Sequence, residues 1–134
     1  MNRADILLVE DNAGDVVLTR RALEGCPVAI RLRVAHDGDE ALRMLADPAF
    51  RPELIILDLN MPRVTGYAVL ERYASQDVPV VVFSSSSNES DVQRTLMLGA
   101  REYVRKPISL KAFMEAIRGI VDRWLKRRRV PVAR

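Results

Sequence analysis

The sequence predicts an α/β domain built on a parallel sheet with helices on both faces, and three observations support this fold class. Short charge-free aliphatic runs occur at 6–9, 54–57 and 79–83, which is typical of strands buried on both faces. Segments with apolar residues at helical spacing alternate with these runs. Several runs stop at polar residues, among them Asp58 and Ser84. This alternation indicates parallel strands joined by right-handed crossovers.

Each element can be placed from its local pattern. Strands are predicted at 6–9, 30–35, 54–57, 79–83 and 101–105. The second alternates apolar and basic residues and the fifth is polar, so both are expected at sheet edges. Helices are predicted from Asn12 to about 25, and at 39–46, 66–75, 89–98 and 110–126. Asn12 is a suitable N-cap and Gly99 a suitable C′ residue. The last helix carries a row of apolar residues at helical spacing: Leu110, Phe113, Ile117, Ile120, Val121 and Trp124.

Composition and charge exclude several classes of protein. A chain of 134 residues forms one domain, and no apolar run approaches the roughly 20 residues of a membrane span. The single cysteine, Cys26, excludes an internal disulfide and fits a reducing cytoplasm. Residues 1–117 carry a net charge of −3 and residues 118–134 one of +6. The mildly acidic body argues against a nucleic-acid-binding face there.

Polar residues follow four of the predicted strands and converge at one edge of the sheet, where ligands bind in open α/β folds. Clustered carboxylates repel one another and call for a cation, and all-oxygen ligands select Mg²⁺. A carboxylate nucleophile, a metal, a lysine and a hydroxyl are the groups needed to form an aspartyl phosphate. The candidate residues are Glu10, Asp11, Asp58, Asn60, Ser84 and Lys106.

Together these motifs resemble the receiver domain of bacterial two-component response regulators. The resemblance rests on four segments, which are 9–12, 57–62 with Gly66, Ser84, and 103–107, and it extends from Asp5 to about Trp124. Finer features, including the serine run 84–87, resemble the single-domain regulators that partner bacterial phytochrome kinases.

The resemblance implies a five-stranded flavodoxin-like sheet of order 2-1-3-4-5. It also implies that Asp58 accepts a phosphoryl group from a histidine kinase. Asp11 and Asp58 would ligate Mg²⁺ directly, with Asn60 giving its backbone carbonyl and Glu10 acting through water or from the second shell. Lys106 would contact the phosphoryl group and precede a cis peptide bond to Pro107.

A switch and an output surface are implied in the same way. Ser84 and Tyr103 resemble the switch pair, in which the hydroxyl moves toward the phosphoryl group and the aromatic ring turns inward. Residues 1–126 would form the receiver domain and 127–134 a basic tail, with no output domain. The fourth helix, fifth strand and last helix form the expected homodimer face, and Trp124 and Leu125 suggest that the last helix extends into it.

Two other functions remain open from the sequence alone. The first is a phosphohydrolase or phosphotransferase with an aspartyl-phosphate intermediate on a related scaffold. Such hydrolases place a general acid two residues after the nucleophile, where this chain has Asn60, which does not exchange protons usefully. The second is a receiver used as a scaffold without phosphorylation, which the complete set of site residues disfavours.

Overall fold

The computed structural model describes residues 3–61, 65–73 and 77–128. Five strands and five helices alternate along this part of the chain. The strands are β1 (Ala4–Val9), β2 (Ile30–Ala35), β3 (Leu54–Leu57), β4 (Val80–Ser84) and β5 (Glu102–Arg105). The helices are α1 (Ala13–Glu24), α2 (Gly38–Ala46), α3 (Gly66–Tyr73), α4 (Glu89–Met97) and α5 (Leu110–Arg128).

The strands form one parallel sheet of order β2-β1-β3-β4-β5. The predicted fold class, strand order and both edge strands are therefore confirmed. β1, β3 and β4 lie inside the sheet and are almost entirely buried, because helices cover both faces. The aliphatic runs thus correspond to strands whose side chains are buried on both faces of the sheet.

Successive residues of the inner strands supply two separate hydrophobic cores. Ile6, Leu8 and Phe83 point toward α1 and α5, and the Phe83 and Phe113 rings meet edge to face at 5.0 Å. Leu7, Val9 and their neighbours point to the opposite core, with α2 and α3. Since side chains alternate across a strand, one continuous apolar run fills both cores.

Helix ends follow the local signals in the sequence. The side chain of Asn12 accepts a hydrogen bond from the Asp15 N–H, as predicted. Asp37 caps α2 in the same way, so this helix begins one residue before the predicted start. Gly99 has φ 112°, a left-handed conformation that favours glycine after a helix.

Several predictions about α5 and the chain ends need correction or lie beyond the described residues. Leu110 is 63% exposed rather than buried, because it opens the helix at the sheet edge. Leu125 is fully buried in the core of its own chain, so it does not form an exposed extension of α5. Pro62, the predicted end of α3 at Ser75, and tail residues 129–134 lie outside the described residues.

Candidate functional site

The carboxyl ends of the central strands bring the predicted site residues together. The Asp58 N–H donates to the Val9 carbonyl at 3.0 Å, which fixes the residue beside the end of β1. The Lys106 N–H donates to the Ser84 carbonyl at 2.8 Å, which continues the pairing of β5 with β4. Backbone pairing of the sheet therefore determines where the carboxylate and the lysine stand.

Glu10, Asp11 and Asp58 form a carboxylate cluster. One oxygen from each lies within 4.8 Å of the others, and within the described residues this is the one group of potential metal-ligating side chains found. Glu10 and Asp58 are buried, whereas Asp11 is exposed. Three oxygen donors with one open side fit a hard divalent ion that keeps part of its water shell. The donor set therefore fits Mg²⁺, as the sequence predicted.

Lys106 neutralises much of this cluster. Its ammonium donates to Glu10 Oε1 at 2.7 Å and to Asp15 Oδ2 at 2.8 Å, and lies 3.7 Å from Asp58 Oδ2. Burial lowers the pKa of Lys106, but the hydrogen bonds to Asp15 and Glu10 outweigh it, and the net pKa is raised. The lysine is therefore a fixed positive charge directly beside Asp58.

Glu10 titrates near neutrality. Burial raises its pKa to about 7, and the nearby Asp58 adds to the rise, while Lys106 and the N–H of Asn12 oppose it. Burial therefore favours the protonated form of Glu10 as the pH falls toward this value. A cation that binds the cluster has to compete with this proton.

This competition predicts a pH-dependent metal affinity. As the pH falls through about 7, Glu10 becomes protonated and the cluster loses a negative charge. We expect the apparent Mg²⁺ affinity to fall by up to about tenfold per pH unit below that point. Isothermal titration at pH 6, 7 and 8 measures it, and Glu10→Gln should flatten the profile in this range. An identical profile in that variant would contradict the role of Glu10.

The predicted switch residues lie on neighbouring strands. Ser84, the last residue of β4, is fully buried, and its Oγ is 3.4 Å from the Ser86 N–H. Tyr103 on β5 is half-buried, and its hydroxyl donates to the Ser86 carbonyl at 2.7 Å. Both side chains therefore contact the same loop residue, which the sequence did not indicate.

Asn60 stands close to Asp58 through its backbone. Its N–H donates to Asp58 Oδ1 at 3.3 Å, which orients the carboxylate from the loop after β3. Gly66, the first residue of α3, packs directly under this turn: a Cβ at that position would lie 2.5 Å from the Asp58 carbonyl oxygen. The turn carrying Asp58 therefore requires glycine at this point.

One predicted feature of the site is wrong. No peptide bond in the described ranges is cis, so Lys106 and Pro107 are joined by a trans bond. For a proline peptide the trans isomer is lower in free energy by about 0.5–1 kcal/mol. Lys106 makes all of its carboxylate contacts with the trans bond in place.

Three side chains near the site were missed. Asp15 is not among the predicted site residues, yet its carboxylate accepts a hydrogen bond from Lys106. Tyr67 and Asp91 hydrogen-bond each other across α3 and α4. Asp15 is an acidic residue in the first turn of α1, and this position could have indicated that it lies near the site. Tyr67 and Asp91 are 24 residues apart, and no local sequence pattern indicates that they are in contact.

A doubly wound parallel sheet with three carboxylates and a lysine at its carboxyl edge belongs to the class of α/β domains that can hold a divalent ion at the ends of their strands. Residues 6–118 match the model of the response regulator receiver domain. The chain belongs to this family, and it is a signalling protein of two-component phosphorelay pathways.

The similar proteins include phytochrome response regulators. Response regulator Rcp1 of Synechocystis sp. is 34% identical, over 96% of this chain and 93% of Rcp1. The structure of its Mn²⁺-bound form has a TM-score of 0.84 at 33% identity and covers 92% of this chain and 95% of that chain. The phosphorylated cyanobacterial phytochrome response regulator RcpA has a TM-score of 0.88 at 35% identity, over 94% and 96% of the two chains. The bacteriophytochrome response regulator AtBRR has a TM-score of 0.69 at 39% identity, over 87% and 91%.

No helix in the described ranges combines the length and the apolar character needed to cross a bilayer.

Proposed function

We propose that this chain accepts a phosphoryl group on Asp58 from a phosphohistidine of a sensor kinase. The observation that carries the proposal is the position of the Lys106 ammonium, which lies 3.7 Å from Asp58 Oδ2 and donates to Glu10 of the carboxylate cluster. In the transfer, an Asp58 oxygen forms a bond to phosphorus, and the phosphorus–nitrogen bond breaks. The histidine leaves with the electron pair of that bond. Positioning and charge neutralisation are the main requirements of such a step.

Each site residue has a separate role in this proposal. Asp11, Asp58 and the Asn60 carbonyl bind Mg²⁺, and Glu10 acts through water or from the second shell. Mg²⁺, when bound, offsets charge on the phosphoryl oxygens. Lys106 contacts the phosphoryl group, and Ser84 donates to it after the switch. Self-phosphorylation from small donors and self-dephosphorylation are the whole of the catalytic activity proposed. The Asn60 side chain supports a switch over a hydrolase, since it supplies no general acid.

Acetyl phosphate tests the acceptor function directly. Incubation with Mg²⁺ and acetyl phosphate should add one acid-labile phosphoryl group, measured by intact mass. Asp58→Asn should abolish the addition, because the carboxylate nucleophile is gone. Asp39→Asn is the matched control, since that carboxylate lies on the surface of α2. Equal labelling of wild type and Asp58→Asn would refute the proposal.

The proposed partner is a histidine kinase, and the phytochrome-associated relatives favour a bacteriophytochrome. We place its docking on the start of α1, near Ala13, Gly14, Asp15 and Leu18. The Lys106–Asp15 pair ties this helix to the loop after β5. Apolar side chains are exposed nearby: Val17 of α1, Ile108 of the loop and Leu110 at the start of α5 are 54%, 101% and 63% exposed. Phosphotransfer requires the two proteins to meet, so a kinase with its catalytic domain in the cytoplasm implies that this chain is cytoplasmic as well.

The organisation of the chain supports signalling by protein contact. We propose a receiver domain at 1–126 with a basic tail at 127–134. The signal would leave through a surface of the receiver domain. The acidic body, with a net charge of −3 over residues 1–117, argues against nucleic acid as the partner of that surface.

We propose homodimerisation through α4, β5 and α5 as the output. Leu96 and Met97 of α4 are 44% and 88% exposed, so this helix offers apolar area to a partner. Met97→Glu should weaken the phosphorylated dimer by at least about tenfold, because a charge would be buried at the interface. Light scattering after acetyl phosphate treatment measures the mass. Val17→Glu on α1 is the control. Equal masses for wild type and Met97→Glu would contradict this face.

A further inference from the structure

The ammonium of Lys106 stands beside Asp58 without being hydrogen-bonded to it. A lysine has three N–H donors, and this one uses two of them, on Glu10 Oε1 at 2.7 Å and on Asp15 Oδ2 at 2.8 Å. Asp58 Oδ2 lies 3.7 Å away, which exceeds the length of a charged hydrogen bond, about 2.7–2.9 Å. Two carboxylates therefore fix the position of the ammonium relative to a third.

Asp15 reaches Lys106 from a fixed backbone. Its N–H donates to Asn12 Oδ1 at 2.9 Å, and its carbonyl accepts a hydrogen bond from the hydroxyl of Thr19 at 2.8 Å. Thr19 is itself buried. The first turn of α1 thus holds the Asp15 carboxylate in place next to the loop that carries Lys106.

Glu10 and Asp15 differ in what else they can bind. Glu10 belongs to the carboxylate cluster with Asp11 and Asp58, whereas Asp15 does not. A cation in the cluster therefore competes with Lys106 for the charge of Glu10 but not for that of Asp15. Burial lowers the pKa of Lys106, and the hydrogen bond to Asp15 is the largest of the effects that raise it. Asp15 is therefore the partner that Lys106 does not share with the cluster.

The gap between Lys106 and Asp58 suits a phosphoryl oxygen. A phosphoryl group on Asp58 places its oxygens beside the carboxylate, where the ammonium can donate to one of them at about 2.7–2.9 Å. An ammonium paired directly with Asp58 would occupy that place and stabilise the carboxylate against reaction. An ammonium held at 3.7 Å leaves the carboxylate open and keeps one donor for the group that it receives.

We propose that Asp15 is a positioning residue that holds the Lys106 ammonium off Asp58 and keeps its third donor for the incoming phosphoryl group. The inference rests on the proposed function, because it concerns how Asp58 accepts that group. Asp15 acts through Lys106 and not on the reacting atoms. Without Asp15, the ammonium is drawn to the Asp58 carboxylate at 3.7 Å and pairs with it directly.

Labelling by acetyl phosphate at saturating Mg²⁺ tests this role, since a small donor needs no docking surface on α1. Asp15→Ala should slow the labelling by about tenfold, the lower end of the effect of one charged hydrogen bond. Asp15→Asn keeps an oxygen acceptor in the same place and should label within about threefold of the wild-type rate. Glu24→Ala removes an exposed carboxylate at the far end of α1 and is the control, with a normal rate. A wild-type rate in Asp15→Ala, or equal slowing in Glu24→Ala, would overturn the proposal.

A second measurement, made without a phosphodonor, separates this inference from the proposed function. Asp15→Ala should lower the urea midpoint of the wild-type chain by much more than that of Lys106→Met, because the latter lacks the ammonium that Asp15 holds. An equal drop in both chains overturns the positioning role whatever the labelling result. Unequal drops in a chain that acetyl phosphate does not label refute the acceptor function and leave the hold of Asp15 on Lys106 supported.

Discussion

Lys106→Met is expected to lower the free energy of unfolding by about 3 kcal/mol at pH 8 in the absence of Mg²⁺. The lysine side chain is 10% exposed and contacts two carboxylates, with Asp58 at 3.7 Å. Removing one partner of a buried ion pair leaves an uncompensated charge, which typically costs about 3–5 kcal/mol. When the lysine is removed, Glu10 can take up a proton, and this reduces the cost of the unpaired charge. We therefore expect a loss of stability at the low end of that range. Urea unfolding followed by circular dichroism measures the loss.

The pH and metal dependence of this loss identify its origin. Below about pH 7 Glu10 is protonated and needs no counter-charge, so the loss should shrink at pH 6. Saturating Mg²⁺ should also reduce it, because a cation then replaces the ammonium charge. Lys111→Met, an exposed lysine on α5, is the control and should change stability by less than about 0.5 kcal/mol. A loss that is independent of pH and Mg²⁺ would contradict the electrostatic explanation.

Gly66→Ala is expected to impair both stability and phosphorylation. The new Cβ would lie 2.5 Å from the Asp58 carbonyl oxygen and 2.9 Å from the Leu59 Cα. Both contacts are with backbone, which cannot rotate away as a side chain can. Overpacking of this kind costs about 1–3 kcal/mol. A shift of about 1 Å at the acceptor can slow the reaction by about a hundredfold. Thermal unfolding and the rate of labelling by acetyl phosphate measure the two effects.

Gly119→Ala provides the matched control for this substitution. Gly119 lies in the middle of α5, and its Cβ would meet only the end of the Arg123 side chain, at 3.1 Å. Alanine is favoured over glycine inside a helix by about 0.5–1 kcal/mol. This variant should therefore be unchanged or more stable, with a normal labelling rate. Normal labelling in Gly66→Ala would show that the turn under Asp58 tolerates a shift.

The sequence was sufficient for the fold because its signals are local and repeated. Charge-free runs such as 54–57 indicate strands that are buried on both faces, and the polar residue after each run indicates where the strand reaches the carboxyl edge of the sheet. Parallel pairing then brings Glu10, Asp11, Asp58 and Lys106 together without further information. The same logic predicted Asn12 as a helix cap.

Contacts between distant side chains could not be predicted in this way. Asp15 and Lys106 are 91 residues apart, and Tyr67 and Asp91 are 24 apart. Which carboxylate a lysine reaches depends on rotamers and packing, which periodicity does not encode. Leu110 follows the helical spacing of its neighbours but lies at the open end of α5. Spacing alone did not separate a buried position from an exposed terminus.

The central claim is that Asp58 carries the phosphoryl group. Borohydride reduces an aspartyl phosphate to homoserine, so treatment after acetyl phosphate labelling, followed by peptide mass spectrometry, locates the modified residue. We predict homoserine at position 58 alone, formed only when Mg²⁺ and acetyl phosphate are both present. Conversion at Asp11 with Asp58 intact would contradict the account.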